Sequence, residues 1–152
     1  DVERSRGLGD VYKRQMYPVL KEIQKKYPDQ CRITEAIDAP YAIYQKLMDD
    51  ADVQLDQLYS YTPSMNSLLA MAKGVIVLGG GEEENYEIIN EKELRPIINV
   101  YPSEEDIFQK LEYIVLNKER IPELSAQSIE YVRKHHNYVK VAQQYVDFWE
   151  AH

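Results

Sequence analysis

One stretch limits the fold more than any other. Residues 60–81 read Ser60-Tyr61-Thr62-Pro63-Ser64-Met65-Asn66-Ser67-Leu68-Leu69-Ala70-Met71-Ala72-Lys73-Gly74-Val75-Ile76-Val77-Leu78-Gly79-Gly80-Gly81. Pro63 suits a first helical position, with Thr62 before it as a cap. Residues 64–73 are rich in Leu, Ala and Met, which favours helix. Gly74 stands where such a helix stops. Residues 75–78 are a short unbroken apolar run, the mark of a parallel strand covered on both faces. The unit puts a helix N-terminus and a glycine loop on one edge of a sheet. Free N–H groups and the helix dipole make that edge attractive to anions.

The rest of the chain repeats the alternation. Residues 17–27 predict a helix with Val19, Leu20, Ile23 and Tyr27 on one face, ended by Pro28. Residues 31–37 predict a strand. A helix follows from Asp38-Ala39-Pro40 to residue 50, with Tyr41, Tyr44, Leu47 and Met48 inward. Further strands are expected at 53–58 and 97–101, and a short helix at 83–90. Ser103 and Asp106 resemble a capping box opening a helix striped by Ile107, Leu111, Ile114 and Val115. Pro122 opens another helix, and Asn137 caps the last, whose face carries Tyr138, Val141, Ala142, Tyr145, Phe148 and Trp149. Four strands alternating with helices imply an α/β fold: a Rossmann-like parallel sheet with helices on both faces.

The ordered pieces carry a family resemblance. Leu68-Leu69-Ala70-Met71-Ala72-Lys73-Gly74-Val75-Ile76-Val77 resembles the "LEAMAxGxPVV" signature of retaining glycosyltransferases with two Rossmann-like domains, the GT-B architecture. Ala51-Asp52-Val53-Gln54-Leu55 resembles the strand that precedes that signature. Gly80-Gly81 with Glu87-Ile88-Ile89 resembles its "GG…E.I" segment, and Tyr101-Pro102-Ser103-Glu104-Glu105-Asp106 the start of its next helix. The order runs from about Tyr17 to Trp149. The resemblance implies a C-terminal, donor-binding domain that is incomplete, its remaining strands and a separate N-terminal acceptor domain lying upstream. Tyr61 and Leu69 stand where that family has two glutamates eight positions apart.

Composition narrows the options. The 152 residues suffice for one domain with a core, expected over 16–152. Residues 1–15 lack apolar period and resemble translated adapter sequence from a metagenomic reading frame; a cloning scar or a genuine arm are the alternatives. The net charge of −8 argues against a nucleic-acid surface. The single cysteine, Cys31, forbids an internal disulfide and points to a reducing, cytoplasmic setting. No run reaches membrane-span length.

Three places are candidates for chemistry. The first is the cradle of Ser60, Tyr61, Thr62, Ser64, Met65 and Asn66, whose hydroxyls, amide and free N–H groups suit a diphosphate; a plain capped connection is the alternative. The second is Gly79-Gly80-Gly81 with Glu82, Glu83 and Glu84. Here Gly80 and Gly81 admit a ligand close to the backbone and Glu82 is placed to grip sugar hydroxyls; acids complementing a helix dipole are the alternative. By resemblance, Glu87 falls at a donor-contacting glutamate. The third is the loop at Ile37, which by resemblance holds a nucleotide base. His135 and His136 suit a helix C-terminus, and no metal-ligand spacing, P-loop or GxGxxG occurs. No catalytic residue is assigned, and neither cofactor nor metal is implied.

The resemblance therefore implies a fragment of a glycosyltransferase that moves a sugar from a nucleotide-sugar donor to an unknown acceptor. The fragment alone is expected to be inactive. The alternative is a non-catalytic binding or scaffold module of the same fold, which Tyr61 and Leu69 favour. A receiver-like phosphorylation domain fits poorly, since Asp56 reads as lying inside its strand. The aromatic face of the last helix is expected to promote self-association.

Overall fold

The computed structural model describes residues 16–36 and 39–151. The elements run α1 (residues 16–26), α2 (Tyr41–Asp49), β1 (Val53–Leu55), α3 (Met65–Ala72), β2 (Ile76–Gly79), α4 (Glu83–Ile88), β3 (Ile98–Asn99), α5 (Glu104–Leu116), a 3-10 turn (Lys118–Arg120), α6 (Ile121–His135) and α7 (Tyr138–Ala151). The three strands form one parallel sheet in the order β1-β2-β3. Val53 pairs with Ile76, and Leu78 with Ile98.

The centre of the sheet is β2, buried along its whole length. Its side chains alternate between two cores, as the pleat requires. Leu78 joins Val19, Ile23, Leu58, Val100, Ile107 and Ile114, the layer under α1 and α5. Val77 joins Met71, Tyr86, Ile97 and Tyr131, the layer under α3, α4 and α6. A third cluster, of Met48, Ala70 and Val75, seats α2 against α3. Each fully buried apolar side chain contributes roughly 1.5–3 kcal/mol, so the two layers carry most of the stability. The expected α/β arrangement, with helices on both faces of a parallel sheet, is thus observed.

Local chemistry sets the turns. After α3, Val75 N–H reaches the Ala70 carbonyl and Gly74 N–H the Met71 carbonyl, both at 3.0 Å. This paired termination needs a left-handed residue, and Gly74 has φ of +84°. Asn90 does the same after α4, with φ of +53°. Glu91, next in the chain, is buried. Its carboxylate accepts the N–H groups of Glu93 and Leu94 at 2.9 and 3.0 Å and meets Lys134 Nζ at 2.7 Å and His135 Nε2 at 2.5 Å. The C-terminal turns of α4 and α6 are tied together there. Burial opposes ionisation of Glu91, but these donors outweigh it and hold the carboxyl far below its ordinary range. Burial, then the neighbouring His135, lowers the pKa of His136.

The structure corrects several expectations. Residues 31–36 form no strand. The segment and its N-terminal flank are hydrogen-bonded to α1 and to the 3-10 turn: Tyr17 donates to Glu35 at 2.6 Å, Cys31 to the Tyr27 carbonyl at 3.4 Å, and Lys118 to the carbonyl of Gln30, just before the segment, at 2.7 Å. The segment instead forms one wall of a cavity of about 960 Å³ whose opposite wall includes β1. The ladder with β2 uses the odd-numbered partners' neighbours: Asp52 C=O takes Ile76 N–H and Asp56 N–H reaches Leu78 C=O. The backbone groups of Val53 and Leu55 therefore point outward, along an open sheet edge. The strand expected at 53–58 stops at Leu55, and that expected at 97–101 spans two residues. In α2 only Met48 is buried, and Tyr41 is exposed rather than inward.

Candidate functional site

The carboxyl edge of β1 meets the N-terminus of α3 at a cavity of about 440 Å³, lined by Met16, Tyr44, Gln54, Leu55, Asp56, Gln57, Ser64, Met65 and Asn66. Open parallel sheets offer ligands such a crevice outside their carboxyl ends. Ser64, not Thr62, caps α3. Its backbone is extended and its Oγ accepts Ser67 N–H at 3.2 Å. Pro63 precedes this cap instead of opening the helix, since the cap needs a residue with a side-chain acceptor. Asp56 follows the end of β1. It is buried, and its Oδ2 accepts Ser64 N–H at 2.9 Å. The first turn of α3 therefore keeps the Met65 and Asn66 N–H groups without a protein acceptor among the described residues. Gln54 completes the floor, its amide 3.5 Å from Ser67 Oγ. The Tyr44 hydroxyl is raised in pKa by burial and then by the Asp56 charge.

The crevice therefore sets a carboxylate beside two free N–H donors. A sugar hydroxyl both donates and accepts, so it suits this pairing. A bare phosphate dianion would meet the Asp56 charge.

The sequence-predicted residues divide accordingly. Ser64, Met65 and Asn66 line the cavity. Ser60 lies in the loop leading to it, its hydroxyl already donating to the Thr62 carbonyl at 2.6 Å. Tyr61 and Thr62 are exposed beside it, Tyr61 at 70%. Gly80 and Gly81 are buried, and the close approach they permit is made by this chain itself. A side chain on Gly80 would run into the Ser60 carbonyl, and one on Gly81 into Ile97. Gly81 N–H is taken by Asn99 Oδ1 at 3.1 Å. Glu82 is half-buried at the N-cap of α4 and makes no side-chain cap bond. Glu87 is exposed on α4. Ile37 lies outside the described residues. Leu69 is half-buried and packs on the cluster of Met48, Ala70 and Val75. Asp56, Gln54 and Tyr44 were not anticipated; the available signal was the first acid after the apolar half of the β1 segment.

A family model described as glycosyl transferase-like matches residues 8–147. The chain belongs to that family. The match spans every element from α1 to α6 and most of α7. Neither a curated protein nor a solved structure matches the chain. Among the described residues, no group of three or more His, Cys, Asp or Glu could hold a metal ion, and no helix is long and apolar enough to cross a membrane.

Proposed function

We propose that this glycosyl transferase-like chain is the donor-binding part of a GT-B glycosyltransferase, which transfers a sugar from a nucleotide-sugar to an acceptor held by a separate N-terminal domain. The observation that carries the reading is the crevice between β1 and α3, in a chain whose family match spans nearly all of it. In this reading the free Met65 and Asn66 N–H groups face the donor, and the Asp56 carboxylate accepts from a sugar hydroxyl. Ser60, Tyr61 and Thr62 border the donor, and Gly80, Gly81, Glu82 and Glu87 belong to the second wall. Ile37 takes the base by resemblance. Catalysis would come from positioning the donor and stabilising the leaving diphosphate. The foreign character of residues 1–15 and the cytoplasmic setting belong to the same proposal.

A non-catalytic binding module is the second reading. It is favoured by Leu69, which is packed into a core cluster, and by the exposed Tyr61, at the two positions where the resemblance has glutamates. Amide-shift mapping by NMR separates the two. Nucleoside diphosphates and nucleotide-sugars should shift Gln54 to Asp56 and Ser64 to Asn66. Shifts confined elsewhere, or none at millimolar ligand, would rule the donor site out and leave the scaffold.

A further inference from the structure

The β1–α3 crevice holds one charge and no counter-charge. Among the described residues that line it, Asp56 is the sole carboxylate, and none is Lys, Arg or His. The other polar groups are neutral: the amides of Gln54, Gln57 and Asn66, and the hydroxyls of Tyr44 and Ser64. Tyr44 keeps its proton, since burial and the Asp56 charge both raise its pKa. The start of α3 adds a positive dipole end, worth about half a charge. Asp56 already accepts Ser64 N–H there at 2.9 Å, and it brings a full negative charge. The balance in the crevice is therefore negative. Lys73, which follows the last turn of α3, lies about 12 Å along the helix, beyond a Debye length. It is paired with Asp49 instead. At about 440 Å³ the crevice is near the lower end of the range of about 300–1,000 Å³ usual for ligand sites. It has room for one part of a nucleotide-sugar rather than the whole.

We propose that this crevice takes the sugar of the donor and selects an uncharged sugar over an acidic one, with Asp56 as the selecting residue. The inference rests on the donor-site reading above and names its substrate class. A neutral sugar brings hydroxyls that can donate to Asp56 and accept from the Met65 and Asn66 N–H groups. A uronic acid carries a carboxylate where the neutral sugar has its hydroxymethyl group. That carboxylate accepts but cannot donate, so it has nothing to offer Asp56. Its charge also meets that of Asp56 with no cation lining the crevice to offset either. Asp56 is buried, so the repulsion is weakly screened. Specificity then comes from rejecting the wrong sugar as well as from holding the right one.

Amide-shift titration of the full chain by NMR, with matched ligand pairs, tests it. One pair is uridine diphosphate glucose and uridine diphosphate glucuronic acid. The other is guanosine diphosphate mannose and guanosine diphosphate mannuronic acid. Within a pair only the C6 group differs, so the nucleotide and diphosphate contributions cancel. The neutral member should bind about five-fold more tightly or better. Asp56→Asn keeps an acceptor for Ser64 N–H and should bring the ratio close to one. A merely structural role for Asp56 would weaken both members alike and leave the ratio unchanged. Asn66→Lys, at an exposed position, should narrow or reverse the preference by strengthening the acidic member. Equal affinities within each pair for the wild type, or a preference that Asp56→Asn leaves intact, would overturn the inference and leave the donor site standing. No shift with any of the four at millimolar concentration would overturn the donor reading, and this inference with it.

Discussion

The carbonyl oxygen of Ser60 lies 2.0 Å from the point where a side chain on Gly80 would begin. The loop after β1 and the loop after β2 are thus in direct backbone contact, at the edge of the sheet where α3 starts. A methyl group at Gly80 has no room, and the obstacle is backbone that cannot rotate aside. Gly80→Ala should destabilise the chain by roughly 2–4 kcal/mol, read as a lower urea midpoint. Any ligand bound at Ser64 to Asn66 should weaken with it, since Ser60 and Ser64 share one loop.

Asp56 separates structure from recognition. An amide oxygen can still accept Ser64 N–H, so Asp56→Asn should cost below about 1 kcal/mol. Asp56→Ala leaves that N–H without its acceptor and should cost about 1–2 kcal/mol. If the carboxylate grips a sugar hydroxyl, Asp56→Asn should weaken a nucleotide-sugar and leave the free nucleoside diphosphate unchanged or tighter. Titration calorimetry with both ligands reads the difference.

Removing the α3 cap is a simpler test. Ser64→Ala deletes the acceptor for Ser67 N–H and should cost about 1 kcal/mol. Thr62→Ala, which removes no cap, should be nearly neutral. Equal losses in the two variants, measured by thermal denaturation, would place the cap elsewhere.

Glu91 predicts an acid limb. Its folded carboxyl titrates below the ordinary value of 4.5, so the folded state holds fewer protons than the unfolded state. Its contribution is complete above that pH and is lost progressively as pH falls below it. Glu91→Gln should be less stable near neutrality by about 2–4 kcal/mol, because Lys134 and His135 lose their shared anion. Its stability should also fall less steeply on acidification. Parallel acid limbs in the two proteins would remove Glu91 from the cause.

The sequence made the α3–β2 unit legible because its determinants are local: a helix-forming run, Gly74 to end it, and four apolar residues too few for a second helix. The strand expected at 31–37 failed for a non-local reason. Alternation in Arg32, Ile33 and Thr34 signals a two-faced segment, but a strand also needs a partner, and residues 31–36 pair with none of the three strands. Thr62 was a sound cap by type, yet Ser64 serves because Asp56 returns across the loop to fix its N–H. That return also kept Asp56 itself from view, since no spacing rule links positions 56 and 64. The glycine triplet did signal close approach, although the approaching group at Gly80 is the Ser60 carbonyl.

The outward-pointing backbone of Val53 and Leu55 has a kinetic consequence. An unpaired edge beside an apolar cavity is a template for any extended chain. While α1, α2 and the 31–36 segment, which surround the cavity beside β1, are still undocked, that edge lies open. Folding then competes with intermolecular strand addition, one process independent of concentration and the other not. Dilution during renaturation should therefore raise recovery, and recovery that does not change with protein concentration would remove strand addition at this edge from the cause.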